Sequence, residues 1–161
     1  MILIALGSNL KSKTYGDPIK NCNKALEFLE KRFELEKVSS FYETEPIPKS
    51  NQAMYVNGVV SVRTNFLPKK VLSELMNIEK IFKRVRHFKN ESRVIDLDLL
   101  CFNDLISKDK HLQLPHPRMH LRRFVMQPLC DINKEWMHPL LNEKAKNILK
   151  KLANQKIYNI N

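Results

Sequence analysis

The chain has 161 residues, a formal net charge of +11 and 43% hydrophobic residues. This length predicts one domain over residues 1–161, and the hydrophobic content excludes a disordered chain. No apolar run approaches the roughly 20 residues that a membrane-spanning helix needs. The positive charge favours anionic partners, such as nucleic acids or phosphorylated small molecules.

Cysteine and glycine usage narrows the class further. Three scattered cysteines lack metal-site or redox spacing, which predicts reduced thiols in a cytoplasmic protein. The apolar start "MILIALGSNL" has neither a basic segment nor a cleavage site, so it predicts a strand rather than a signal peptide. With only three glycines, the chain lacks both common glycine-rich phosphate loops. Side chains and metal ions must therefore hold the phosphates of any nucleotide.

Hydrophobic periodicity predicts alternating strands and helices in the first hundred residues. Each helix is expected to begin at a proline, where the missing N–H costs nothing. A loop with two prolines is expected at 45–54. The predicted elements are, in chain order, a strand at 2–6, a helix from Pro18, strands at 37–44 and 55–64, a helix from Pro68 and a strand at 93–102.

The remaining third of the chain has a weaker pattern. A hairpin is expected at 104–114, and an irregular, proline-punctuated segment at 115–140 with a short helix at 119–125. A last amphipathic helix is expected at 143–153. The whole order predicts an α+β fold with a ferredoxin-like βαββαβ core. We expect an antiparallel sheet with both early helices on one face. The other face should stay open for a ligand and carry the active site, and a C-terminal hairpin and helices should follow.

The stretch "RVIDLDLLCF" at 93–102 places two aspartates in an otherwise apolar strand. Ile95, Leu97, Leu99 and Cys101 would face the helices, and Asp96 and Asp98 would face the other way, with Cα atoms about 7 Å apart. Two like charges so placed need a cation between them. Mg²⁺ accepts carboxylate and phosphate oxygens together, and two ions could bridge this pair and a polyphosphate.

Arginines surround this pair in the sequence. They are Arg84, Arg86, Arg93, Arg118, Arg122 and Arg123. Guanidinium groups bind phosphate in a bidentate manner, so the cluster indicates a local anion site. Metal and guanidinium together are what phosphoryl transfer requires. The alternative is that the aspartates are merely solvated or paired with Arg93.

Two histidines lie in "LPHPRMHLRRF" at 114–124. His116 and His120 have the i, i+4 spacing of a zinc pair. The neighbouring arginines and the absence of an H-E-x-x-H glutamate make zinc the less favoured alternative. His116 is better suited to face a phosphate as a donor or acid.

Six stretches occur in an order that resembles one known family: "ALGSNL", "SSFYETEP", "YVNGVV", "RVR", "SRVIDLDLL" and "LPHPRMHLRRFVMQPL". From about residue 3 to residue 140 the chain resembles the 6-hydroxymethyl-7,8-dihydropterin pyrophosphokinases of folate biosynthesis. The resemblance implies a ferredoxin-like enzyme that transfers the pyrophosphoryl group of ATP to the hydroxymethyl oxygen of the pterin and releases AMP. It implies Mg²⁺ as cofactor, with two ions per site.

The resemblance also implies residue roles. Asp96 and Asp98 match the metal-holding pair, and with Arg84 and Arg93 they form the implied catalytic set. The implied ATP contacts are Glu79, Arg84, Arg86, Arg93, Leu99, Gln113, His116 and Arg122. The implied pterin contacts are Thr44, Ile47, Asn57 and the aromatic pair Tyr55 and Phe124, which would enclose the ring.

The residue pattern supports the pterin contacts in part, because Tyr55 and Asn57 share one face of their predicted strand. The alternative for each aromatic residue is a place in the core. The chain departs from the family at Glu91-Ser92, where glycine and proline are common, and at Pro117.

Two rival classes carry no catalysis: an RNA-binding module and a ligand-binding domain of the same fold. The RNA-binding pattern RNP1 is missing, and the acidic pair would repel phosphates without metal. We expect small-molecule substrates, no nucleic acid, no membrane and a monomer.

Overall fold

A six-stranded antiparallel sheet forms the centre of the computed structural model, which describes residues 1–82 and 92–160. In these ranges the strands are β1 Ile2–Ser8, β2 Glu34–Val38, β3 Tyr42–Thr44, β4 Tyr55–Arg63, β5 Asp96–Phe102, β6 Ser107–Asp109, β7 Leu112–Leu114, β8 Met137–His138, β9 Glu143–Lys144 and β10 Ile157–Asn159. The helices are α1 Pro18–Glu30, α2 Pro68–Ile81, α3 Arg123–Asn133 and α4 Ala145–Lys150, with a 3₁₀ turn at Met119–Leu121.

The central sheet has the strand order β10-β3-β4-β1-β5, and β2 also pairs with β4. Every pairing is antiparallel. The pairs β6-β7 and β8-β9 form two small separate hairpins. No helix within the described ranges is long and apolar enough to cross a membrane.

The helices α1 and α2 cover one face of the sheet, as the sequence predicts. Both begin at a proline. Their buried residues, among them Cys22, Leu29, Leu75 and Ile78, share one core cluster with Ile4, Leu6, Ile95 and Leu97 of the sheet side. Burying a large apolar side chain stabilises the fold by roughly 1.5–3 kcal/mol. This cluster therefore attaches both helices to the sheet.

The second face is not left entirely open, which corrects the expectation of a free face. The helices α3 and α4 cover part of it, in a second core cluster that includes Leu3, Val59, Met126, Leu129 and Ile148. The prediction of an irregular segment with a short helix at 119–125 is also wrong, because α3 runs for 11 residues through Pro128. Burial of its apolar face outweighs the hydrogen bond that proline removes.

Cys101 faces the second cluster, not the α1/α2 side where the alternation placed it. The pairing of β1 with β5 shifts register between Leu3 and Ile4, which are opposite Cys101 and Leu99. The extra residue, Leu100, forms a bulge and reverses the alternation beyond it. A period-2 pattern carries no mark of such a bulge. Asp96 and Asp98 precede the bulge and keep their predicted face.

The predicted strand at 37–44 is two strands, β2 and β3. Ser39 lies at the break: its N–H donates to the Val59 carbonyl at 3.0 Å, and its hydroxyl accepts from the Val59 N–H at 2.9 Å. One residue therefore satisfies both backbone groups of its neighbour in β4. The loop at 45–54 is confirmed, and the helix expected at 143–153 is shorter, at Ala145–Lys150.

Gly58 marks a tight contact in the middle of β4. A Cβ atom at this position would lie 2.8 Å from two ring carbons of Phe41. Phe41 is buried in the first core cluster, so its ring has little room to move.

We therefore expect Gly58→Ala to lower the free energy of unfolding by about 1–3 kcal/mol, the usual cost of overpacking. Urea denaturation measures this loss. Combining it with Phe41→Leu should recover part of the loss, so that the double substitution costs less than the sum of the two. Strictly additive losses would contradict a clash between these two side chains.

His138 is a buried histidine in the second half of the chain. Its Nδ1 accepts the backbone N–H groups of Leu140 and Leu141 at 3.2 and 3.3 Å, and its ring contacts His120 edge-on at 5.5 Å between centroids. Burial, together with the neighbouring His120, lowers the pKa of His138 to about 4. The folded protein therefore holds His138 in its neutral form at neutral pH.

Because the unfolded chain binds this proton more readily, folding should lose stability as the pH falls from about 6.5 to about 4. This group alone contributes up to about 1.4 kcal/mol per pH unit in that window. His138→Asn keeps an acceptor near Nδ1 and should flatten the decline, measured by urea unfolding at several pH values. His111→Asn, at an exposed position, is the control. An unchanged slope in the His138 variant would contradict the assignment.

Candidate active site

Three neighbouring strands bring the predicted site residues together in register. Gly7 of β1 lies opposite Asn57 of β4 on one side and Asp96 of β5 on the other. In the next row, Ala5 lies between Val59 and Asp98. Paired residues of adjacent strands point to the same face of a sheet. The row Asn57–Gly7–Asp96 therefore forms the floor of a site at the end of the sheet that α3 leaves uncovered.

Small residues in the central strand keep this floor low. A Cβ atom on Gly7 would come within 3.3 Å of the Asn57 Oδ1 and 3.9 Å of the Asp96 Cβ. A larger side chain there would fill the space between the amide and the carboxylate. Glycine thus leaves room for a ligand that contacts both strands.

Asp96 forms an ion pair with Arg93, through Oδ2 and the guanidinium Nη1. The two side chains are only 18% and 19% exposed. Although burial opposes its charge, the attraction of Asp96 and Asp98 raises the pKa of Arg93. The ion pair with Arg93 that the alternative interpretation included is therefore present at Asp96, and this carboxylate is largely shielded from solvent.

Three arginines, Arg93, Arg118 and Arg122, form a cationic rim, and the two aspartates act electrostatically on Arg93 and Arg122. Burial lowers the pKa of Arg122, and Arg118 lowers it further, whereas Asp98 and Asp96 act in the opposite direction. Arg93 also acts on Arg122. Mutual effects of this kind arise only between charges that lie near one another. The structure therefore brings Asp96, Asp98, Arg93 and Arg122 into one electrostatic site.

His116 lies in the same rim as a neutral side chain. Burial, together with the positive charges of Arg122 and Arg118, lowers the pKa of His116 to about 4. Its Nδ1 accepts the Arg118 backbone N–H at 3.2 Å, so the proton of the neutral ring is assigned to Nε2. The His116 backbone N–H donates to Leu100 at 2.7 Å, which ties this turn to β5. His116 can offer a neutral N–H donor to a ligand.

Each of the two candidate aromatic residues lies against an arginine. The Arg93 guanidinium carbon is 5.9 Å from the centroid of the Tyr55 ring, and that of Arg122 is 5.4 Å from the Phe124 ring. Both aromatic side chains are half-buried, and Phe124 packs at the border of the second core cluster. Placement in the core, the predicted alternative, is therefore partly correct for Phe124.

The other candidate pterin contacts differ in how they are held. The Asn57 side chain is buried and donates to the Thr44 hydroxyl at 2.8 Å. The Tyr55 hydroxyl donates to the Gln52 side chain at 2.9 Å. Ile47, in contrast, is 48% exposed in the loop before β4. Asn57, Thr44 and Tyr55 are fixed by hydrogen bonds, whereas the side chain of Ile47 is open to solvent.

Asn9 is a site residue that the sequence reasoning missed. Its Oδ1 accepts the Arg93 backbone N–H at 2.8 Å, and its own N–H donates to the Arg93 carbonyl at 3.0 Å. Its Nδ2 lies within 3.4 Å of acceptors on Gln52, Ala53 and Ser92. Asn9 is buried, and neither this burial nor these long-range contacts can be read from the local sequence. Asn9 joins the loop before β4 to the start of β5.

Three predicted ATP contacts differ in how far their side chains are accessible to a ligand. Glu79 is buried in α2, and its Oε1 accepts the Leu97 backbone N–H at 2.9 Å. Leu99 is buried in the first core cluster, so only its backbone faces other groups. Gln113 is exposed on β7. Arg84 and Arg86 lie outside the described residues.

Glu79 holds the part of β5 that carries both aspartates. β5 is the last strand in the sheet order, and the Leu97 N–H points away from β1 toward this carboxylate. In the described part of the chain, no group of three or more histidine, cysteine or acidic side chains could hold a metal. A metal at Asp96 and Asp98 would need further ligands from substrate or water.

Two neighbouring carboxylates with guanidinium groups close to them are typical of enzymes that act on phosphorylated substrates. The model of the 7,8-dihydro-6-hydroxymethylpterin-pyrophosphokinase (HPPK) family matches residues 3–134. The 2-amino-4-hydroxy-6-hydroxymethyldihydropteridine pyrophosphokinase of Aquifex aeolicus is 34% identical over 145 residues, which cover 90% of this chain and 88% of the relative. A folic acid synthesis protein of Dictyostelium discoideum is 36% identical over 142 residues, but these cover only 21% of its length.

Solved structures show the same fold. The Plasmodium falciparum HPPK-DHPS chain crystallised with pteroate has a TM-score of 0.75 and 17% identity, covering 95% of this chain and 44% of that one. The chain belongs to the 7,8-dihydro-6-hydroxymethylpterin-pyrophosphokinase family. It is thus an ATP-dependent diphosphotransferase of folate biosynthesis that acts on small molecules. Family membership does not favour the alternative of a non-catalytic RNA- or ligand-binding domain.

The Glu79 contact generates a prediction. Glu79→Ala should lower the free energy of unfolding by about 1–3 kcal/mol, because it leaves the buried Leu97 N–H without this acceptor. Glu79→Gln keeps an oxygen in place and should cost less. Urea unfolding and amide hydrogen exchange at Leu97 measure both effects. Equal losses in the two variants, with unchanged exchange at Leu97, would show that the bond does not matter.

Proposed function

We propose that Asp96 and Asp98 hold two Mg²⁺ ions, and that the site beside them aligns ATP with 6-hydroxymethyl-7,8-dihydropterin for pyrophosphoryl transfer and AMP release. The single observation that carries this proposal is the row Asn57–Gly7–Asp96. It sets a hydrogen-bonding amide suited to a heterocycle beside a carboxylate suited to a metal. Only a glycine separates the two.

The residues fit Mg²⁺ by their donor chemistry. Asp96 and Asp98 offer hard carboxylate oxygens on one face, and phosphate oxygens and water would complete the coordination. Bound there, Mg²⁺ would neutralise charge on the phosphates and on the two aspartates. Arg93, which pairs with Asp96, supplies positive charge to the same carboxylate in the free protein.

The cationic rim is proposed to bind ATP. Arg122 and Arg93 would contact phosphate oxygens through their guanidinium groups. His116 would donate from Nε2 as a neutral ring. Arg84 and Arg86 are proposed for the same function from the resemblance alone, as are Gln113 and the backbone of Leu99. For Glu79 we propose an indirect role, through its bond to β5.

The pterin is proposed to lie between Tyr55 and Phe124. A flat conjugated heterocycle stacks favourably on aromatic faces. Asn57 would hydrogen-bond the ring edge, since its Nδ2 is already held by Thr44 and its Oδ1 borders the open space above Gly7. Ile47 would cover the entrance side.

The chemistry needs no covalent protein intermediate. The pterin hydroxyl attacks the β-phosphorus of ATP, the bond between the α-phosphate and the β-phosphorus breaks, and AMP leaves. The hydroxyl proton passes to solvent or to a phosphate oxygen. Alignment of the attacking oxygen and neutralisation of charge should supply most of the rate.

The wider setting is proposed as follows. The order β5-β1-β4 with β2 and β3 beside β4, and with α1 and α2 on one face, supports a ferredoxin-like core. Both core clusters pack on one sheet, which supports a single domain over 1–161. Three free cysteines support a cytoplasmic location. We also expect a monomer.

The test is AMP release from ATP with 6-hydroxymethyl-7,8-dihydropterin and Mg²⁺, each omitted in turn. AMP should form only when all three are present, together with an equal amount of pterin diphosphate. AMP formation without the pterin would indicate hydrolysis instead. Absence of AMP with all three present would overturn the proposal.

Asp96→Asn and Asp98→Asn should each lower kcat about a thousandfold at saturating Mg²⁺, because several kcal/mol of charge stabilisation is lost. Asp104→Asn, an exposed carboxylate two residues beyond β5, is the matched control and should keep full activity. Near-normal kcat in either site variant would refute the metal-holding role.

A further inference from the structure

The side chain of Gln155 brackets the backbone of Arg122. Its Nε2 donates to the Leu121 carbonyl at 2.9 Å, and its Oε1 accepts the Arg123 N–H at 2.8 Å. These two backbone groups belong to the peptide units on either side of Arg122. One carboxamide therefore contacts both peptide planes that orient this residue.

The backbone groups of Arg122 itself are bonded within the chain: its N–H donates to the Met119 carbonyl at 3.2 Å, and its carbonyl accepts the N–H groups of Val125 and Met126 at 3.1 and 3.0 Å. Gln155 adds contacts to the outer groups of the same two peptide units. Arg122 joins the 3₁₀ turn to α3 and is extended, with φ −122° and ψ 109°. An extended residue in a sheet would have its neighbours' backbone groups paired with another strand. Here the amide of Gln155 takes the place of that strand, since it offers one donor and one acceptor side by side.

Arg123, the residue after Arg122, also binds the segment that carries Gln155. The Arg123 guanidinium donates through Nη1 to the carbonyls of Ala153 and Gln155, at 3.0 and 2.8 Å. The strand β10 follows directly and pairs with β3 in the central sheet. The segment that carries Gln155 is therefore held at both ends, so its side chain is a fixed support.

We infer that Gln155 is a positioning residue that orients Arg122 toward the phosphates of ATP, an inference that rests on the role proposed for Arg122. Arg122 is half-buried, and Asp98 and Asp96 act electrostatically on its guanidinium. A rotation of either flanking peptide would swing this long side chain out of that position. Small displacements of a binding group are costly to function.

Loss of the Gln155 hydrogen bonds is expected to displace Phe124 less than Arg122. Phe124 lies in the first turn of α3 and packs on the second core cluster, which holds it independently of Gln155. Loss of the bracket should therefore weaken ATP binding more than pterin binding. A general loosening of the structure would weaken both.

The test compares Gln155→Ala and Gln155→Met with Asn154→Ala, an exposed neighbour, as the control. Gln155→Met keeps the length of the side chain without its hydrogen bonds. Both Gln155 variants should raise the dissociation constant for an unreactive ATP analogue about three- to tenfold, from the loss of two partly exposed hydrogen bonds. Pterin affinity should change less than twofold. A Gln155→Met variant that binds like the unsubstituted protein would overturn the inference.

A double-mutant cycle with Arg122→Ala separates this inference from the proposed function. If Gln155 acts through Arg122, Gln155→Ala should have no further effect on ATP affinity once Arg122 is removed. Equal effects of Gln155→Ala in both backgrounds would overturn the inference while leaving the role of Arg122 intact. An Arg122→Ala variant with normal ATP affinity would instead overturn the role of Arg122 itself.

Discussion

The site depends on the burial of negative charge at the end of β5. A carboxylate that is 18% exposed is costly unless positive charge lies close to it. The strand could carry leucines at these positions with less cost, so the two aspartates oppose stability. Arg93 forms an ion pair with Asp96 in the free protein, and both carboxylates act electrostatically on Arg122. The rest of the site consists of the elements that bring these arginines into place.

The two faces of the sheet differ in function: one carries the larger core, and the other carries the candidate site beside a second core. The helices α1 and α2 build the larger core on one face, and Glu79 reaches from α2 to hold the edge of β5. The helix α3 packs on the other face, and Arg122 and Phe124 lie at its N-terminal end, with Phe124 against the second core cluster. The bulge at Leu100 turns Cys101 toward α3. One strand thus serves the site at one end and the second core at the other.

Much of this could be predicted from the sequence, and the failures have identifiable causes. The helices begin at their prolines, and Asp96, Asp98, Tyr55 and Asn57 share one face, because local patterns determine such features. The length of α3 was missed because tertiary packing extends the helix through Pro128, a residue that usually ends a helix. The bulge in β5 was missed because no local sequence signal marks it. Asn9 and Gln155 were missed because each acts on backbone distant in the chain, which no spacing reveals.

Neutral amides hold three parts of the site. Asn9 fixes the backbone of Arg93, Asn57 binds Thr44, and Gln155 brackets Arg122. An amide carries both a donor and an acceptor, so it can satisfy two backbone groups at once without adding charge. A lysine or glutamate in the same places would alter the balance between two carboxylates and their arginines. These three amide contacts therefore hold parts of the site without adding charge to the balance between the two carboxylates and their arginines.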